Sequence, residues 1–223
     1  MSAPKPTAPL GERDVIRANS LLFTCALCVL WILPGLVGHD PWKPDEAYSF
    51  GLVYHILQTG DWIVPTLAHE PFLEKPPVYY LTAALLAKIF GGVLPLHDAA
   101  RLASGLYMAL TFLLVGLTAR DLHGAGKGWL AVLALLGSFG LLLPAHYIVA
   151  DVAELAGFSL ALYGMARCTR RPVSGGLALG SGIGLAFLCK GMLALGAMSI
   201  TAAVLPLLSL HWRTRNFLLA LLV

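Results

Sequence analysis

The stretch Ser20–Gly38, SLLFTCALCVLWILPGLVG, runs nineteen residues without a charge. At about 1.5 Å rise per residue, a helix of that length crosses a hydrocarbon core of roughly 30 Å. It exceeds the usual apolar region of a signal peptide, about 7–15 residues, and no clear small-x-small cleavage site follows it. We read it as a first transmembrane helix. The rest of the chain agrees: of 223 residues, 58% are hydrophobic and 12% charged, with a mean hydropathy of +0.78. A soluble domain carries about 25% charged residues, and a chain this apolar has no reason to stay solvated and disordered. The net charge of +3 is small and scattered, which excludes a nucleic-acid partner. The composition predicts an all-α, multi-pass membrane protein.

Outward from that segment, further spans are predicted at 99–118, 129–149, 152–168, 173–189 and 191–210, giving about six full spans. The apolar run Asn216–Val223 reads as the start of a seventh, cut short. The predicted layout is therefore a cytoplasmic tail over 1–19, a first helix over 20–38, and a large outer loop over 39–98. Five further helices with short loops occupy 99–215, and the truncated span covers 216–223. Cys25, Cys28, Cys168 and Cys189 lie inside apolar stretches, which suits packing residues better than a disulfide or metal framework. The glycines between Gly175 and Gly196 suit close helix–helix contact in lipid. No GK[ST] element accompanies them, so they are not a phosphate loop.

Charge sets the orientation. With the N-terminus in the cytoplasm, the inner segments hold Lys5, Arg13, Arg17, Arg120, Lys127, Arg167, Arg170, Arg171, Arg213 and Arg215, ten of the fifteen Lys and Arg. That two-to-one bias follows the positive-inside rule. Nine of the twelve acids then fall outside, most of them between His39 and Asp98. A loop of that length is functional or disordered, and its Trp, Tyr, Phe and Leu content argues against disorder. Within it, Pro44-Asp45-Glu46 opens a helix with Ala47, Phe50, Gly51, Tyr54 and Leu57 on one face, stopped by Thr59-Gly60. Trp42 and Trp62 flank it, as for a helix lying in the interface. A second short helix is predicted over Val78–Phe90, ended by Gly91-Gly92, with Glu74-Lys75-Pro76-Pro77 as a rigid charged corner between the two.

Several of these polar residues admit both a structural and a chemical reading. Asp45 and Glu46 are either first-turn acids favoured by the helix dipole or a general base at the membrane face. Asp151, with Glu154 one turn later, emerges on the same side, where carboxylates within reach of a bilayer often mark function. Glu74 and Lys75 form either a local ion pair or a phosphate-binding cation with the carboxylate that orients it or holds a metal. Lys190 either snorkels or contacts a phosphate. His39, His55, His69 and His97 lie outside without a zinc-ligand spacing.

Taken in order, Pro44-Asp45-Glu46-Ala47-Tyr48, then Gln58 to Pro65 (QTGDWIVP), then Phe72 to Tyr80 (FLEKPPVYY) resemble the first periplasmic loop of bacterial family-39/83-type glycosyltransferases. That group includes protein O-mannosyltransferase-like enzymes and the aminoarabinose transferases that modify lipid A. Ala150-Asp151-Val152 and Cys189-Lys190-Gly191 are similar to its later signatures, so the likeness covers most of the chain from about residue 20. The resemblance implies a GT-C fold and transfer of a sugar from a polyprenyl-phosphate carrier to a protein, lipid or glycan acceptor, outside the cytoplasmic membrane. It implies Asp45 as the main catalytic carboxylate, Asp151 as a second acid, and Lys75 on the carrier phosphate. Glu74 would shape the pocket or ligate a divalent metal, as in some members; no other cofactor is implied. Glu46 joins the catalytic set by its place beside Asp45, and Tyr48 and Lys190 join the substrate-binding set. This chain would then be the N-terminal portion of such an enzyme, in contact with membrane lipids. The competing reading is a membrane transporter or lipid-handling protein without catalysis. Transporters place their sites near the midplane, whereas the charges here gather at the outer interface.

Overall fold

A computed structural model describes residues 10–42, 44–68, 70–124 and 126–222, with side chains from Ser20 onward except His211. The first nine residues of the expected tail and the outer-loop His69 lie outside the described residues. The described residues are mostly helical. Helix α1 spans Leu10–Ile32, α2 Asp45–Thr59, α3 Val78–Phe90, α4 Leu96–His123 and α5 Gly128–Leu136. They are followed by α6 (Asp151–Cys168), α7 (Pro172–Lys190), α8 (Met192–Leu208) and the short α9 (Arg215–Ala220). A two-residue hairpin, β1 (Thr66–Leu67) with β2 (Glu70–Pro71), is an addition to the all-α expectation. Its turn uses Ala68 at φ 50°.

Both helices of the first loop form where the punctuation places them. Gly60 closes α2 at φ 71°, a left-handed cap that glycine adopts without a Cβ penalty. Pro77 precedes α3, and Gly91 caps its last turn through Ala87 O. The inward face of α2, however, is not the expected one. Glu46, Ser49, Leu52, Val53 and Ile56 are buried, while Tyr54 is 47% exposed. The helix is turned by about one residue, about 100°, because Glu46 is drawn inward to a buried partner described below.

Two expected spans are also corrected. The first stops at Ile32 rather than Gly38, since Pro34 removes a donor and disfavours helix at the residue before it. The segment expected at 129–149 breaks after Leu136 into 3₁₀ turns at Phe139–Leu141 and Pro144–His146, bent by 67°. Gly137, Gly140 and Pro144 supply the weak points. Among the described residues α4 and α7 are long and apolar enough to cross a membrane, and the bent pair counts as a third span if taken together. Helix α6 carries Asp151, Glu154 and Arg167 within 18 residues, and α8 has 17 residues.

One core joins α2, α3 and α4 through Ile56, Tyr79, Tyr80, Ala83, Ala103 and Met108, all 0–1% exposed. A second joins α6 to α9 through Met165, Leu179, Met198 and Phe217. Glycines allow α6 and α7 to touch backbone to backbone: a Cβ on Gly157 would lie 2.6 Å from Ala186 N. Cys168 and Cys189 are free, buried packing residues in these cores.

Candidate active site

The site is framed by a buried charge cluster in which the expected Glu46 meets two residues outside the expected set, Arg101 and Asp98. Arg101, in the second turn of α4, is 0% exposed. Its Nε donates to Glu46 Oε1 at 2.6 Å, and its Nη1 donates to Asp98. Glu46 also accepts from Trp42 N at 2.9 Å and Ile148 N at 3.1 Å, and Asp98 accepts from Gly38 N at 3.0 Å. Three ionised groups thereby tie the end of the α1 segment, the start of α2, the start of α4 and the turn before α6. A parallel polar ladder runs from Tyr79 Oη to Ser104 Oγ, 2.7 Å, and from Ser104 to Tyr147 O. Trp42 stacks on Tyr147 with ring centroids 6.1 Å apart. The start of α2 is thus pinned beside the turn that leads to Asp151.

Asp151 opens α6 and Lys190 closes α7, so each stands at the helix end whose dipole favours its charge. Lys190 Nζ pairs with Asp151 and lies 3.3 Å from Glu154 Oε2. Two acids against one cation leave the cluster acidic. Tyr80, 1% exposed, faces it from α3. Burial pushes the Tyr80 phenol up to about 12, against a hydrogen bond from Ser49 that lowers it, and Tyr48, Asp151 and Glu74 add to the rise. Its hydroxyl is a neutral donor among carboxylates at any physiological pH. Desolvation, then Glu74, raises Tyr48 as well, and Tyr48 meets Phe72 edge-on at 5.5 Å, as Phe72 meets Tyr80 at 5.9 Å. Beside the acids an apolar groove of about 240 Å³ runs along Leu141, Pro144, Val152, Leu155 and Phe158.

Of the expected residues, Tyr48, Glu74, Asp151 and Lys190 thus gather around Tyr80. Asp45 is exposed at the first position of α2, next to the pinned Glu46. Glu46 is 1% exposed, and its two oxygens accept from Arg101 Nε, Ile148 N and Trp42 N. Lys190 is compensated by two acids, whereas Lys75 is half-buried and makes no ion pair among the described residues. The local Glu74–Lys75 pair does not form. Among the described residues no group of three His, Cys, Asp or Glu gathers. Sequence reasoning missed Arg101, Asp98 and Tyr80. A guanidinium inside an apolar helix was the available signal for the first.

Residues 74–223 match the protein family described as dolichyl-phosphate-mannose-protein mannosyltransferase. The undecaprenyl phosphate-alpha-4-amino-4-deoxy-L-arabinose arabinosyl transferase of Pseudomonas aeruginosa (strain LESB58) is 32% identical over 85% of this chain and 36% of its own length. The protein of the same name from Edwardsiella ictaluri (strain 93-146) is 34% identical, over 82% of this chain and 34% of its own. The chain therefore spans about a third of the length of these relatives. Among solved structures, the crystal structure of ArnT from Cupriavidus metallidurans in the apo state superposes with a TM-score of 0.75 at 21% identity, covering 92% of this chain and 40% of that one. The same protein bound to undecaprenyl phosphate gives 0.71, covering 91% and 39%. The helical arrangement is that fold.

Proposed function

This chain belongs to the dolichyl-phosphate-mannose-protein mannosyltransferase family, and from that premise we propose that it forms the catalytic front of a polyprenyl-phosphate-dependent glycosyltransferase. The enzyme moves a sugar from the lipid carrier to a protein, lipid or glycan acceptor at the outer face of the cytoplasmic membrane. Relatives whose names specify an undecaprenyl-phosphate-linked aminoarabinose support the donor class. The observation that carries the reading is the acidic cluster of Asp151, Glu154 and Lys190, facing Tyr80 at the end of the bundle where α2 presents Asp45.

Asp45 acts as the general base. It takes the proton of an acceptor hydroxyl or amine as that atom bonds to the anomeric carbon. The bond from that carbon to the phosphate oxygen breaks, and its electron pair leaves with the polyprenyl phosphate. The departing phosphate needs a cation rather than an acid, and Lys75, without an ion pair among the described residues, meets it. Lys190 holds Asp151, which orients the acceptor or the developing sugar cation, and the apolar groove takes part of the polyprenyl chain.

In the full-length protein, Asp45→Asn should abolish sugar transfer while membrane expression stays unchanged. Undiminished transfer would overturn the assignment. The broken segment over 128–146 is a feature that transporters share. Carrier-lipid flux in proteoliposomes without sugar transfer would favour that second reading.

A further inference from the structure

At the opposite end of the α6–α7 pair stands a group of arginines that the proposed chemistry leaves unused. Helix α7 runs nineteen residues from Pro172 to Lys190, about 28 Å at 1.5 Å per residue. Its first turn therefore lies about one hydrocarbon thickness from the Asp151–Lys190 cluster. Arg170 and Arg171 are exposed in the turn before α7, and Arg215 is exposed at the start of α9. Two contacts hold these distant turns together. Asn216 Nδ2 donates to Thr169 O at 3.3 Å, and Phe217 is fully buried in one cluster with Cys168 and Leu179.

Among the described residues, none of the three guanidinium groups meets an acid. Asp121 is taken by Arg167 at 3.9 Å. Arg213 is spent on the last carbonyls of α8, 2.6 Å to Pro206 O and 3.2 Å to Leu207 O. Helix α7 starts without a side-chain cap, so its first amide groups add partial positive charge at the same place. Directly beside this patch, Val173 and Leu177, one turn apart on one face, are 61% and 58% exposed.

We propose that this end binds the headgroup of an anionic phospholipid, in the leaflet opposite the candidate active site. The phosphate takes charge-assisted hydrogen bonds from Arg170, Arg171 and Arg215, and an acyl chain lies along Val173 and Leu177. A topological signal needs only a count of Lys and Arg. Here three arginines without an acid partner among the described residues sit on two turns held together by a clasp and bordered by an apolar strip. Free phosphate shares the charge chemistry but has no use for the strip.

The test is native mass spectrometry of the full chain in detergent, offered phosphatidylglycerol, phosphatidylcholine or inorganic phosphate. Phosphatidylglycerol should be retained over phosphatidylcholine. The triple variant Arg170→Gln, Arg171→Gln, Arg215→Gln should weaken its retention about a hundredfold, about fivefold per arginine. The control Arg120→Gln, Lys127→Gln should keep it. Equal retention of the two lipids, an unaffected triple variant, or displacement by equimolar inorganic phosphate would each overturn the assignment. The readout involves no sugar transfer, so it stands or falls apart from the glycosyltransferase reading.

Discussion

Arg101 shows how a single side chain sets the geometry of its surroundings. A buried ion pair is weak evidence for stability, because desolvation offsets much of the attraction, but removing one partner strands the other at about 3–5 kcal/mol. Arg101→Met leaves two buried carboxylates, Glu46 and Asp98, without their guanidinium partner. We expect that variant to lose about 3–5 kcal/mol, read as a lowered midpoint of detergent-solubilised thermal unfolding. Adding Glu46→Gln and Asp98→Asn should recover much of the loss, since neutral isosteres no longer carry the charge penalty. An unchanged midpoint in Arg101→Met would remove the cluster from its framing role. The exposed Asp151–Lys190 pair, half open to solvent on the acid side, is by contrast worth only about 0–1 kcal/mol.

At the level of elements, the turn signals were reliable and the faces were not. Pro44, Gly60, Pro77 and Gly91 bound α2 and α3 at the expected residues. Apolar spacing nonetheless chose the wrong side of α2, because hydropathy cannot register that a glutamate will turn inward to a partner 55 residues away. In a membrane the rule weakens further, since apolar side chains such as Tyr54 and Leu85 are stable facing lipid as well as protein. Of the glycines between Gly175 and Gly196, Gly175 and Gly182 do approach α6 closely, while Gly180, Gly184, Gly191 and Gly196 meet nothing within 4 Å; Gly157 and Gly164 on α6 complete the seam, which makes a prediction. Gly157→Val places a branched side chain where a Cβ already comes within 2.6 Å of Ala186 N, so the two helices must separate. That variant should lose monodispersity on detergent extraction. Gly184→Ala, which meets nothing within 4 Å, should extract like the wild type. Equal behaviour of the two would show that the helices pack otherwise.

On the scale of the whole molecule, the division of charge between its two ends is the organising feature. Acids and the candidate site collect at one end of the α6–α7 pair, unpaired arginines at the other. By the positive-inside rule we propose that the candidate site lies outside. In a cysteine-free background of intact cells, Thr59→Cys should react with a membrane-impermeant maleimide, and Gly126→Cys should react only after the cells are opened. The reverse pattern would invert the topology and remove Asp45 from the outer face. The sequence by itself determined the helical membrane class, both loop helices, the charge asymmetry and the family, because composition, turn residues and short motifs are local quantities. Only the tertiary structure decided that Glu46 is buried against Arg101, that Lys190 pairs with Asp151, and that Lys75 makes no ion pair among the described residues. Each of those outcomes depends on a contact between residues far apart in the chain, or on the balance between desolvation and pairing once they meet, and neither has a local signature.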